Sequence, residues 1–293
     1  MNWADVWDAM FGGLPVYGDI LALVQNSVWA GAVLGLVGGL IGVFVLQRDM
    51  AFAVHGISEL SFAGAAAALL IGVDVVTGSI VGSMIAAALI GWLGSRARDR
   101  NSIIGVLMPF GLGLGILFLS LYDGRSANRF SLLTGQIVSV QSGQLGWLIG
   151  IGAFVLIALL LIWRPLRFDS LDPQSAAARG VPTVAVSLGF MLLLGLIVAV
   201  AVHIIGALLV MALLVTPAAA AVRVATGSLA VPLLAALFGV VSAVGGILLA
   251  VAGTLPVSPY ITTISFTIYV VCRIVGARRG RVLRTQPTLR RAE

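Results

Sequence analysis

Apolar runs of about 20 residues, the length a helix needs to cross a hydrocarbon core, recur along nearly the whole chain. Short polar or arginine-bearing breaks separate them, and none alternates with the period of two that marks an outer-membrane barrel strand. The pattern predicts an all-α, polytopic transmembrane bundle with spans at about 28–46, 50–72, 76–95, 102–121, 145–163, 183–203, 204–221, 230–251 and 261–275. That makes nine spans, or eight if one member of the abutting pair after residue 183 is a half-span. The stretch FSLLTGQIVSVQSG, 130–143, is too polar and short to span and reads as an outer loop or re-entrant piece.

Composition excludes a soluble domain: of 293 residues, 60% are hydrophobic and 10% charged, with a mean hydropathy of +1.13. All 17 basic residues are arginine. With the first span running outside to inside, every arginine except Arg125 and Arg129 falls on the cytoplasmic side, which fixes the expected orientation and puts the C-terminus inside. The tryptophans agree, since Trp29 and Trp147 lie at outer starts of spans and Trp92 and Trp163 at inner ends. Three regions follow: an outer-surface N-terminal segment at 1–27, which lacks the basic start of a cleaved signal, a membrane domain at 28–275, and an arginine-rich cytoplasmic tail at 276–293. The pI near 10.7 is explained by those loops and tail, so anionic lipid rather than nucleic acid is the expected surface partner.

Absences narrow the function. The chain has no lysine and hence no phosphate-binding loop, so any ATP hydrolysis must come from another subunit. Nor does it carry a Gly-x-Ser-x-Gly elbow or a cysteine pair; the single Cys272 reads as packing. The 36 glycines permit close helix approach and say nothing of a substrate.

Topology places ten of the acidic residues in loops or tails, Asp169 among them, and leaves Glu59 inside a span. His55 stands four positions before it, on the same helix face, so the two can converge on one ligand. A carboxylate at that depth costs on the order of 2.5–3.5 kcal/mol by insertion scales, which favours a place in an interior path. Imidazole with carboxylate suits a divalent first-row metal such as zinc or manganese, held weakly enough to be released. The same pair also fits a buried hydrogen-bonded tie or a proton relay. His203, about 20 residues along its helix, is expected near the outer face as an interfacial anchor, an entry-path residue or a ligand.

Between the fifth and sixth spans, Asp172 is a good N-cap and Pro173 suits the first helical position. Gln174, Ser175, Ala176, Ala177, Ala178 and Arg179 favour helix, and Gly180 supplies the stop. A helix that short needs something to pack against, and a cytosolic partner would supply it. Pro217 interrupts the seventh span and marks either the translocation path or a packing kink.

The run QRDMAFAVHGISELSFAGAAAALLIG, the loop FDSLDPQSAAARGVP, the segment IGALLVMALLVTPAAAAVR and the closing span resemble, in that order, the permease subunit of bacterial ATP-binding-cassette importers for zinc and manganese. In that family the second span usually reads Gly-Asp-Ala-Leu-Ser-His-Ala-x-Leu-Pro-Gly. Here Ser58 and Gly64 match, the family's aspartate falls on His55, its histidine on Glu59, and its proline on Ala63. The two ligand types are kept but exchanged. The resemblance implies a type II permease fold like that of vitamin B12 and metal importers, in a bacterial cell membrane. It also implies a second copy of the chain, a cytoplasmic ATPase docked on the loop helix, an extracytoplasmic metal-binding protein, and no permanently bound cofactor. A proton-coupled secondary transporter and a permease for a metal chelate or siderophore are the alternatives.

Overall fold

The computed structural model describes residues 24–93, 97–123, 140–252 and 256–284. Among them the regular structure is entirely helical: α1 (Gln25–Gln47), α2 (Ala51–Ile71), α3 (Val75–Leu93), α4 (Ala97–Leu121), α5 (Ser142–Leu171), α6 (Pro173–Ala178), α7 (Thr183–Ile205), α8 (Ala207–Val224), α9 (Ala230–Val251) and α10 (Val257–Arg284). Helices are the form an apolar chain can take in lipid, because each backbone donor finds its acceptor within the same segment. Eight are long and apolar enough to cross a membrane, and a shorter apolar stretch, Leu209–Val224, lies within α8. Every expected span therefore meets a helix. The expected N-terminal segment lies almost wholly outside the described residues, as does most of the 130–143 loop.

Three helices, α1, α2 and α6, end at a left-handed residue with the same pattern of bonds. Asp49, Gly72 and Gly180 have φ of 52°, 75° and 80°. Each is followed by a backbone bond reaching back five residues, Met50 N–H to Val45, Val73 N–H to Ala68 and Val181 N–H to Ala176, the signature of a Schellman stop. The α7–α8 pair is separated by the single residue Gly206, with φ 82°.

Three departures from the sequence reading stand out. The fifth helix does not stop before Pro165 but continues to Leu171, carrying Asp169 into the bundle. The last continues beyond residue 275 to Arg284, so part of the expected tail is helix. And Pro217 does not divide its span, since α8 runs through it and the break lies at Gly206.

The central helix is α7, whose Phe190, Met191, Leu194, Ile197, Val198 and Ala201 are fully enclosed. It packs on α3, α5, α2 and α8; α2 packs on α3 and α4; α1 packs on α9, α8 and α5; and α10 closes against α8 and α9. α4, α5 and α10 present Phe110, Ile116, Phe154, Leu161 and Phe266 outward, a surface that acyl chains solvate. Close approach depends on particular glycines: a β-carbon at Gly64 would overlap the Gly78 carbonyl on α3, and one at Gly39 the Ala235 carbonyl on α9.

Two sets of contacts define the ends of the bundle. At one end Asn26 donates to the Val140 carbonyl at 3.3 Å, joining the starts of α1 and α5. At the other, Arg48 joins the end of α1 to the end of α5 and the start of α7. α1 and α5 therefore run parallel and α7 antiparallel to both, with α6 at the Arg48 end.

Candidate functional site

α2 carries the ionisable pair. His55 Nε2 stands 3.6 Å from Glu59 Oε1, close enough for electrostatic attraction but beyond ordinary hydrogen-bond length. Glu59 is 4% exposed, while about a quarter of the His55 side chain is accessible. His55 Nδ1 and Glu59 Oε2 are buried without a hydrogen-bond partner in the protein. Ser58 spends its proton elsewhere, donating to the His55 carbonyl at 2.8 Å. The pair thus keeps unspent ligand capacity on both members, which a mutually satisfied structural tie would not. The Glu59 backbone lies against Gly111 of α4, where a β-carbon would come 3.0 Å from the Glu59 carbonyl carbon.

The opposite side of α2 is committed to packing. Ser61 hydrogen-bonds Ser79 Oγ of α3 at 2.7 Å, and Ser79 donates to the Ala199 carbonyl of α7 at 3.0 Å. Ser61 lies about 200° round the helix from Glu59, so these hydroxyls hold α2, α3 and α7 together without occupying the pair. Nothing local in the sequence marks this chain of serine bonds.

The same contacts set the depth of His203. Ser61 and Ala199 lie at one level; Glu59 is two residues from it toward α6 and His203 four residues the other way, an axial separation of about 9 Å, and about 15 Å for His55. His203 therefore stands apart, and among the described residues no three His, Cys, Asp or Glu side chains cluster as a metal site. Its partner is Gln144 of α5. Gln144 Oε1 accepts the Gln141 N–H at 3.0 Å, so its amide nitrogen donates to His203 Nε2 at 3.1 Å. That fixes the neutral imidazole with its proton on Nδ1, a buried donor with no partner in the protein.

The loop helix expected at 172–180 is present as α6. Asp172 caps it, accepting the Ser175 N–H at 3.0 Å and the Ser175 hydroxyl at 2.5 Å. Those bonds hold the Asp172 carboxyl below the usual aspartate range. Of the residues from Pro173 to Gly180 only Ala176 is buried, so the helix projects with its sides uncovered; Arg179 lies 5.7 Å from the Phe168 ring centroid. Pro217 lies inside α8, which runs on through it. It leaves the Leu213 carbonyl without its helical donor, and at this level the Leu214 carbonyl of α8 faces Gly42 of α1 while the Leu214 side chain faces Gly38.

The sequence reading missed one charged contact entirely. Arg48 and Asp169, assigned to separate loops, form a buried ion pair with side chains 8% and 6% exposed.

With the architecture in view, the kinship is direct. Residues 21–276 match the ABC 3 transport family. The chain belongs to that family. The manganese transport system membrane protein MntC of Halalkalibacterium halodurans is similar, 32% identical over 263 residues that cover 89% of this chain and 90% of the relative. The manganese import system permease protein ScaB of Streptococcus parasanguinis is 27% identical, with 88% and 92% covered. Among solved structures, PsaBC from Streptococcus pneumoniae in complex with Fab superposes with a TM-score of 0.79 at 27% identity, covering 88% of this chain and 95% of that one. The ABC 3 match takes in His55, Glu59, His203, Pro217 and all of α6. The helical permease fold that the resemblance implied is the fold observed.

Proposed function

We propose that this chain is the permease subunit of an ATP-driven importer of divalent metal ions, with manganese the first candidate cargo and zinc the second. Two copies form the path, a cytoplasmic ATPase docks on α6, and an extracytoplasmic metal-binding protein delivers the ion at the opposite face. The observation that carries the reading is the His55–Glu59 pair: an imidazole and a carboxylate on a spanning helix, each with a buried, unpartnered ligand atom. Oxygen ligation by Glu59 with retained water suits manganese, and the imidazole is compatible with either metal. Manganese transport in the names of MntC and ScaB supports the same order. The arginine distribution supports α6 and the C-terminus on the cytoplasmic side.

In this scheme the pair holds a partly hydrated ion briefly, offsetting the cost of a buried carboxylate with the ion's charge. ATP binding then shifts the bundle between outward-open and inward-open arrangements, which requires that nucleotide favour one of them. Proteoliposomes holding the permease with its ATPase test this by radiolabelled manganese uptake. His55→Ala and Glu59→Gln are expected to lower ATP-dependent uptake by about tenfold or more, the loss of one charge-assisted interaction. Normal uptake in both variants, or gradient-driven uptake by the chain alone, would overturn the assignment. Competition between manganese and zinc orders the cargoes.

A further inference from the structure

Arg48 sits at the last turn of α1, where its guanidinium gathers three partners from the two legs of the α6 loop. Nε donates to Ser170 Oγ at 2.8 Å, Nη1 to Ser187 Oγ at 3.1 Å, and Nη2 pairs with the Asp169 carboxylate. Asp169 and Ser170 lie two to three residues before the Asp172 cap, and Ser187 lies in the opening turns of α7, just after the Gly180 stop. The Phe190 ring stands 5.7 Å from the guanidinium carbon, and Phe190 in turn meets Phe44, which meets Trp163 edge-on at 4.8 Å. Charges so enclosed interact strongly, yet a buried pair is weak evidence for stability, because apolar residues of similar volume often replace it without loss. What an apolar patch cannot do is hold three directional partners on two strands of chain at once.

The other side of Arg48 leads to the pair on α2. Arg48 N–H bonds Phe44, Asp49 N–H bonds Leu46 and Met50 N–H bonds Val45, so the turn from α1 into α2 is fully bonded and only three residues long. His55 begins within the second turn of α2. The sides of α1 and α2 barely touch, so this turn is the short route between them.

We propose that the Arg48–Asp169 ion pair, with the Ser170 and Ser187 hydroxyls, is the joint that transmits movement of α6 to the His55–Glu59 helix. This rests on the functional reading above, in which an ATPase engages α6. Arg48 is a positioning residue in that role: it touches no cargo, and it converts displacement of the α5–α6–α7 loop into displacement of the α1–α2 turn.

The test separates joint from staple. Arg48→Met with Asp169→Leu removes both charges together and leaves no buried charge stranded, so insertion and ATPase assembly are retained. The double variant is expected to hydrolyse ATP within about twofold of the parent while ATP-dependent manganese uptake falls about tenfold or more. A second readout needs no cargo. In a Cys272→Ala background, spin labels at Phe52→Cys on α2 and Leu233→Cys on α9, both exposed sites, report the distance between those helices with and without ATP and vanadate. The ATP-dependent shift is expected in the parent complex and lost in the double variant. Arg48→Lys keeps the charge but not the fork, and serves if the double variant fails to insert; it too should lose most of the shift. The same shift in the variants as in the parent, or none in the parent, overturns the proposal. A normal shift with no metal uptake by the parent counts against the cargo assignment and leaves the joint standing.

Discussion

A carboxylate at position 59 is costly inside a bundle unless something shares its charge, and His55 does so incompletely. The 3.6 Å separation leaves the attraction without a formed hydrogen bond, and one atom of each residue is spare. The spacing of four made this legible, because a helix converts i and i+4 into neighbours whatever surrounds it. Position 49 was not legible. The left-handed region costs most L-residues about 1–2 kcal/mol and aspartate is among the few that visit it, but nothing local marks this one; here φ is 52° and the turn depends on it. Asp49→Gly is expected to stay within about 1 kcal/mol of the parent, since glycine adopts the angle freely and loses only chain entropy. Asp49→Val should destabilise by about 2 kcal/mol or more, because a β-branched residue tolerates that region worst. Denaturation midpoints in detergent measure the difference.

At the scale of elements, α6 shows what capping chemistry alone can specify. Asp172, Pro173 and Gly180 were each readable as cap, first turn and stop, and each stands in that role, Gly180 at φ 80°. The Asp172 carboxyl is held low by Ser175, so its charged form is the folded form. The cap is therefore fully present above the ordinary aspartate range and lost only as pH falls through the depressed folded value. Over about pH 5 to 8 ATPase binding should show no titration from this group. Asp172→Asn retains a capping oxygen and should bind nearly as the parent does, whereas Asp172→Ala should weaken binding several-fold, the equivalent of about 1 kcal/mol. Pull-down of the ATPase against pH for the three proteins decides it. Helix α5 shows the converse. Pro165 and the surrounding arginines read as a span's end, yet the helix continues and Asp169 on it meets Arg48, a partner 121 residues away that no local pattern encodes.

For the whole molecule, the sequence places each apolar span, leaving only eight or nine open at the pair after residue 183, because lipid demands about 20 apolar residues per crossing. It does not determine which helices touch. The contacts α1 with α9 and α2 with α3 turn on glycines, and among 36 of them the chain gives no local sign of which meet a neighbour. Gly64 meets Gly78 and Gly82 backbone to backbone, while Gly105 and Gly113 of α4 and Gly143, Gly146 and Gly150 of α5 face open space. The same substitution must then have opposite consequences. Gly64→Ala would force α2 and α3 apart at their crossing and disturb the Ser61–Ser79 bond beside it, a cost of about 1–3 kcal/mol. Gly105→Ala meets nothing within 4 Å and should be neutral or stabilising by up to about 1 kcal/mol through better helix propensity. Because α2 also carries Glu59, Gly64→Ala should lower metal uptake along with thermal stability in detergent, and Gly105→Ala should leave both intact unless that face of α4 is covered by a second copy. Loss of assembly by Gly105→Ala with unchanged monomer stability would therefore locate the contact between copies on α4.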